Sequence, residues 1–315
     1  MEDTALREVV ERFETALDPA RPTAGGDAEV VGYGEVSTVL RLAALPSWVC
    51  KRMAGFHDPP AASRYLTVVR RYLECLASHD IDVAETRMVA VRIAARRPVV
   101  YLLQPDFDRR GFGSEILRAG DDAQLLACVD RVLAHVRTLM LANRRTTDGR
   151  TLTVDAQLSN WHFPLAGGAV GAPRLVDVGT PFMRLHGIDE IGIELFLAPV
   201  PPPFRALSRW QRDVERYIDD YFDPRRILLD LLGNFHKETR PDRIPLVRTH
   251  VNRWLAAEGA ALEVGALDAR EIDDYYRGDA RKLEFFLKVR RLDRYVRVHL
   301  LRQRYDFILP GLIRR

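Results

Sequence analysis

Four short segments carry residue types that could handle phosphate or a hard cation. Gly32-Tyr33-Gly34-Glu35-Val36-Ser37 follows a strand-like apolar run. Glycines there let backbone amides approach an anion with no Cβ in the way, and Ser37 adds a hydroxyl donor. Lys51 sits in another strand-like run beside Val49, Cys50 and Met53, which places an ammonium on a partly buried strand. Asp155 and Asn160 stand five positions apart, just after Leu152-Thr153-Val154. A loop of that length can aim both at one centre, the carboxylate to orient a proton and the amide oxygen to hold a cation. Asp177 ends the apolar run Leu175-Val176, two residues before Gly179, and a strand-end carboxylate suits Mg²⁺.

Each segment alone has an ordinary explanation. Glycine pairs form hairpin turns, lysines sit on sheet edges, and Asp and Asn are common turn formers. Short patterns of this kind recur by chance. Their order along the chain is more specific, so the elements that must position them come next.

Residues 3–17 have apolar residues at helical spacing, and 18–27 read as a Pro/Gly loop. Three strand-like runs follow, around 30–31, 36–40 and 47–53. Pro59-Pro60 breaks the chain before a helix over 61–78. Residues 88–93 and 98–103 read as two further strands. After Gln104-Pro105 the texture turns helical, with a strongly apolar helix over 123–141. Two β-like blocks, 152–154 and 174–176, flank the glycines Gly167, Gly168 and Gly171 as in a hairpin. Beyond about 188 helices dominate, interrupted by the run from Pro199 to Pro203, which reads as a rigid connector.

Gly loop, strand lysine, helix, two strands, long helix, Asp-x4-Asn and strand-Asp-x-Gly is an order that resembles the protein-kinase-like superfamily. The resemblance covers roughly residues 28–185. It implies an α+β, bilobal fold. The N-lobe, 1–104, would hold a five-stranded antiparallel sheet, and the C-lobe, 105–315, would be mainly helical. It also implies ATP and Mg²⁺. Gly32, Gly34 and Ser37 would lie over the phosphates, Lys51 would grip the α- and β-phosphates, and Gln104 would meet adenine through its backbone. Asp155 would be the catalytic aspartate, with Asn160 and Asp177 as the Mg²⁺ ligands.

Several departures place the chain within that superfamily. Position 157 is Gln, where protein Ser/Thr kinases carry Lys, and no Ala-Pro-Glu follows Asp177. Both features look more like the aminoglycoside-phosphotransferase and choline-kinase branch, whose acceptors are small molecules. The helix over 61–78 contains one acid, Glu74, near its C-terminal end, so the usual helix-Glu partner of Lys51 is missing. Thr153 stands where a His usually braces the catalytic loop. The expected activity is ATP-dependent phosphoryl transfer to a small-molecule hydroxyl or amine. A nucleotide-binding pseudokinase and a protein kinase stay open as alternatives. Asp230, Asn234 and Lys237 share one face of a helix over 223–238. That face reads either as a solvated surface or as the wall of an acceptor pocket.

Composition excludes other classes. Across 315 residues the chain is 47% hydrophobic and 29% charged, with a net charge of +3, the balance of an ordinary globular protein. Its interleaved charges give no expectation of a nucleic-acid or membrane partner. No apolar run reaches membrane-spanning length, and the acidic start is unlike a secretory signal, so a cytoplasmic location is expected. Cys50, Cys75 and Cys128 lack metal-binding spacing and read as free thiols.

Overall fold

The structure, a computed structural model, describes residues 3–34, 36–201 and 208–311. Met1, Glu2, Glu35 of the glycine loop, and Pro202 and Pro203 of the proline run lie outside them. Five strands form one antiparallel sheet in the order β1-β2-β3-β5-β4: β1 (Ala28–Tyr33), β2 (Ser37–Leu42), β3 (Trp48–Met53), β4 (Arg87–Val91) and β5 (Val99–Pro105). Helix α2 (Pro59–Ala77) lies between β3 and β4 in sequence. Its start follows from local chemistry. Asp58 Oδ1 accepts from the Ala61 N–H at 2.7 Å, and Pro59-Pro60 occupy the first turn, where a missing N–H costs nothing.

The period-2 alternation of the strands sorts side chains between two cores. Met53, Val100 and Leu102 join α2 and the C-terminal helices in one apolar cluster. Cys50, Tyr101 and Leu103 point the other way and pack with Leu6 and Val10 of α1 (Asp3–Ala16). On β3 this alternation separates two neighbouring cations. Lys51 lines the interlobe cleft. Arg52, only 2% exposed, makes paired bonds of 2.7 and 2.8 Å to Glu14 of α1. The Tyr101 hydroxyl donates to the same carboxylate at 2.6 Å.

The C-terminal part is helical: α3 (Gly113–Ala119), α4 (Asp122–Arg145), α5 (Glu194–Leu197), α6 (Ser208–Asp220), α7 (Pro224–Lys237), α8 (Ile244–Ala256) and α9 (Ala269–Tyr295). A reciprocal capping box between Asp121 and Gln124 starts α4. Beyond α9 the chain returns to the N-terminal sheet. Tyr305, Phe307 and Ile308 are buried in the α1-side cluster, and Arg52 Nη1 donates to the Asp306 carbonyl at 2.7 Å.

One sequence expectation is corrected. The two β-like blocks that flank the glycines do not pair with each other. Arg150–Leu152 pairs with Met183–Leu185, and Arg174–Leu175 pairs with Trp161–His162. Gly167 and Gly168, both at positive φ, turn a separate two-residue hairpin. Local turn chemistry identifies the hairpin but says nothing about the longer-range partners of its neighbours.

The Glu14–Arg52 pair gives a stability test. Glu14→Ala leaves a buried guanidinium without its carboxylate, and should cost about 3–5 kcal/mol in urea denaturation. A loss below about 1 kcal/mol, the range of exposed pairs, would mean that water compensates the site.

Candidate active site

All eight residues singled out from the sequence line one cleft of about 1020 Å³ between the sheet and the helices. The glycine loop is the tight turn joining β1 to β2, in which the Gly34 N–H donates to the Ser37 carbonyl at 3.0 Å. A Cβ on Gly34 would lie 2.5 Å from Ser37 Oγ, so a larger residue would force that hydroxyl to turn.

At the centre of the cleft, Lys51 Nζ donates to Asp177 Oδ1 over 2.5 Å. The same oxygen accepts from the Gly179 N–H at 3.1 Å. Gly179 also makes room for the lysine stem, since a Cβ there would come within 3.0 Å of Lys51 Cε and Nζ. Burial pushes the Asp177 carboxyl upward, but the Lys51 ammonium and the Gly179 N–H outweigh it and hold the group below its ordinary range. Asn160 is tied to the Asp177 segment through the backbone. Its carbonyl accepts from Val176 N–H at 2.9 Å and from Asp177 N–H at 3.4 Å.

Asp155 follows the strand Arg150–Leu152 and accepts the Gln157 N–H at 2.9 Å. Burial first, and the Asp230 carboxylate second, push it up to about 7. Gln157 lines the cleft too, and its side chain is held against α7. Its Nε2 donates to Asp230 Oδ2 at 2.6 Å, and its Oε1 accepts from Asn234 Nδ2 at 3.0 Å. Lys237 completes the group at 3.1 Å from Asp279 of α9 and 3.8 Å from Asp230. The face of α7 carrying Asp230, Asn234 and Lys237 is therefore not a solvated surface. Asp230 and Asn234 are 8% and 2% exposed, and all three line the cleft beside Asp155.

Gln104 sits at the end of β5, with its side-chain amide donating to Thr86 Oγ1 at 3.0 Å. Its backbone lies opposite Val49 in the β3–β5 ladder, and the next residue, Pro105, has no N–H to offer.

Sequence reasoning missed two tyrosines. Tyr65 and Tyr72, seven residues apart on α2 and so on one helix face, read as ordinary core positions. The Tyr65 hydroxyl donates to the Gly179 carbonyl at 2.8 Å, and the Tyr72 hydroxyl to the Thr153 carbonyl at 2.7 Å. The missing helix Glu is thus matched by a different coupling, in which α2 holds the backbones of the Asp177 and Asp155 segments. Thr153 N–H also donates to the Phe182 carbonyl at 3.0 Å, so backbone bonds brace the loop that a His usually braces. After Asp177 the chain runs directly into the strand Met183–Leu185, leaving no extended platform.

Among the described residues no cluster of three or more His, Cys, Asp or Glu could hold a metal. The two oxygen donors Asp177 and Asn160 fit a hard divalent cation that keeps its waters and takes its other ligands from a nucleotide.

A family model described as "Family of unknown function (DUF6206)" matches residues 12–294. The chain belongs to this family. No curated protein matches it. Among solved structures, WaaP in complex with acyl carrier protein overlaps 85% of this chain and 96% of its own, at 13% identity and a TM-score of 0.33. The GDP and kanamycin complex of APH(2")-IIia overlaps 82% and 92%, at 12% identity and a TM-score of 0.33. Aerobactin synthetase IucC from a hypervirulent pathotype of Klebsiella pneumoniae overlaps 66% of this chain and 46% of its own, at 12% identity and a TM-score of 0.30. The protein-kinase-like fold of this chain stands on its own strand order, the placement of α2 and the cleft below the sheet.

The upward shift of Asp155 has a sign that can be tested. Its folded-state value lies above the ordinary carboxylate range, so the native state holds the proton more tightly than the unfolded state. Ionisation then costs stability as pH rises from about 4 to about 7. Asp155→Asn, which removes that charge, should be more stable than the wild type at pH 8 by more than about 1 kcal/mol. The gain should vanish near pH 4. Equal destabilisation at both pH values would show that the carboxylate is not strained.

Proposed function

We propose that this protein is an ATP-dependent phosphotransferase acting on a small-molecule hydroxyl or amine. The observation that carries the reading is the Lys51–Asp177 contact, with the Asn160 and Asp177 backbones bonded to each other and Asp155 in the same cleft. It also supports taking residues 1–104 and 105–315 as the two lobes that enclose the nucleotide.

In this reading Gly32, Gly34 and Ser37 cover the phosphates, and the backbone near Gln104 meets the base. When nucleotide enters, Lys51 moves from Asp177 to the α- and β-phosphate oxygens. Asp177 and Asn160 are then free to hold Mg²⁺, which supplies charge neutralisation at the phosphates when bound. Asp155 orients the acceptor. The acceptor heteroatom forms the new bond to the γ-phosphorus, the bond to the β-bridging oxygen breaks, and ADP departs. The acceptor proton passes to Asp155. Gln157 acts indirectly, by fixing the Asp155 loop to Asp230 and Asn234 of α7. The compact segment after Asp177 and the pocket closed by α7 and α9 suit a small acceptor better than an extended peptide.

A pseudokinase is the second reading, and one observation favours it. The carboxylate partner of Lys51 is Asp177 itself rather than an α2 acid, so lysine and cation compete for one group. Transfer separates the two readings. Wild type with labelled ATP and a small-molecule extract should label one or a few metabolites, and Asp155→Ala should lower that rate by at least about 100-fold. Nucleotide binding without any transfer would favour the pseudokinase, and label in many proteins but none in the extract would favour a protein kinase.

A further inference from the structure

Helix α9 has two working faces. Tyr275, Asp279, Leu283, Leu287 and Arg290 point into the cleft. The opposite face carries Arg281, Phe285, Lys288, Leu292 and Tyr295, all exposed, at spacings that keep them on one side of a helix. Phe285, Leu292 and Tyr295 are 55%, 59% and 56% exposed, and the turn that follows adds Leu300 and Leu301 at 66% and 56%. Single exposed apolar side chains are ordinary, but a contiguous stripe of large ones marks an interaction surface.

The charge of the same stretch narrows the partner. Residues 281–304 hold nine basic and two acidic side chains, a net +7 in a chain whose total is +3; Lys282 and Arg290 line the cleft and Arg304 pairs with Asp306, which leaves six basic residues elsewhere on the stretch. The remainder of the molecule is therefore acidic. The two acids are already engaged, Glu284 with Lys288 at 2.7 Å and Asp293 with Arg297 at 3.0 Å. A nucleic acid would use the cations but has no use for a Leu300-Leu301 tip. A second copy of this chain would set two strongly cationic faces against each other. An anionic bilayer accepts both features, the apolar stripe at the acyl boundary and the cations among the headgroups. Among the described residues no helix is long and apolar enough to cross a membrane, so the contact would be one of lying on the surface.

We propose that the outer face of α9 and the turn after it dock this protein onto an anionic lipid bilayer. The same helix walls the cleft, so docking sets the acceptor side of the cleft beside the membrane. The inference rests on surface geometry and holds whether or not the cleft transfers phosphate.

Vesicle flotation tests it. The wild type should float with equimolar phosphatidylcholine/phosphatidylglycerol vesicles and not with pure phosphatidylcholine, and high salt should release it. Leu292→Asp combined with Leu300→Asp changes only exposed positions. It should weaken binding by more than about tenfold while leaving the melting temperature unchanged. Arg281→Glu combined with Lys288→Glu, both exposed on the outer face, should give a similar loss through charge alone. The proposal is overturned if the wild type stays in solution with the anionic vesicles, or if both double variants bind as it does. It is equally overturned if the wild type sediments as a dimer that Leu292→Asp with Leu300→Asp breaks, or if duplex DNA competes the vesicles away without regard to the leucines.

Discussion

A charge removed from water must be met by a partner, and β3 carries two such charges on adjacent residues. Strand alternation sends Lys51 into the cleft and Arg52 into the α1-side core, and each finds a carboxylate, Asp177 and Glu14 respectively. Much of the molecule is arranged around this strand. Glu14 fixes α1 across the back of the sheet, and the Arg52 bond to the Asp306 carbonyl draws the end of the chain onto the same face. Lys51 ties the sheet to the Asp177 segment of the helical part. The two pairs differ in burial. Arg52 and Glu14 are closed off and serve cohesion, where breaking one partner is costly. Lys51 and Asp177 border an open cleft, so their contact can be exchanged for a ligand.

Helix α2 transmits that arrangement without the usual acid. Its two tyrosine hydroxyls end on main-chain carbonyls, at Gly179 and Thr153, on either side of the cleft floor. A carbonyl does not titrate, and burial pushes both phenols well above their ordinary range, so this coupling does not change with pH near neutrality. It ties the Asp155 and Asp177 segments to α2 independently of the Lys51–Asp177 contact. On the other wall, the Asp230–Gln157–Asn234 chain of hydrogen bonds links the Asp155 loop to α7, and Lys237 links α7 to α9. That wall of the cleft is thus built from a region that carried no recognisable motif.

The parts legible in the sequence were those governed by neighbours along the chain. Asp58-Pro59-Pro60 and Asp223-Pro224 announce the starts of α2 and α7 within a residue or two, because capping is local. The five strands are readable because alternation between two cores leaves a period in the residues themselves. The order of Gly34, Lys51, Asp155, Asn160 and Asp177 sufficed to place them in one cleft. The illegible parts depend on distant partners. Nothing local to Tyr65 or Tyr72 separates a core tyrosine from one whose hydroxyl reaches a loop about a hundred residues away. Asp230, Asn234 and Lys237 resembled a solvated face because the helix that covers them, α9, begins more than thirty residues later. Residues 305–308 read simply as the end of a helical region, whereas their burial against β3 comes from a return of the chain to the opposite lobe.

The central claim is that the cleft holds a nucleotide through a cation seated on Asp177. Calorimetric titration with ATP, in the presence of Mg²⁺ and again in excess chelator, tests it most directly. The account predicts binding that tightens markedly with Mg²⁺ in the wild type, and that loses its dependence on Mg²⁺ in Asp177→Ala while a weaker, cation-independent affinity remains. Wild-type binding that is the same with and without Mg²⁺, or no heat of binding at all in a folded protein, would contradict it.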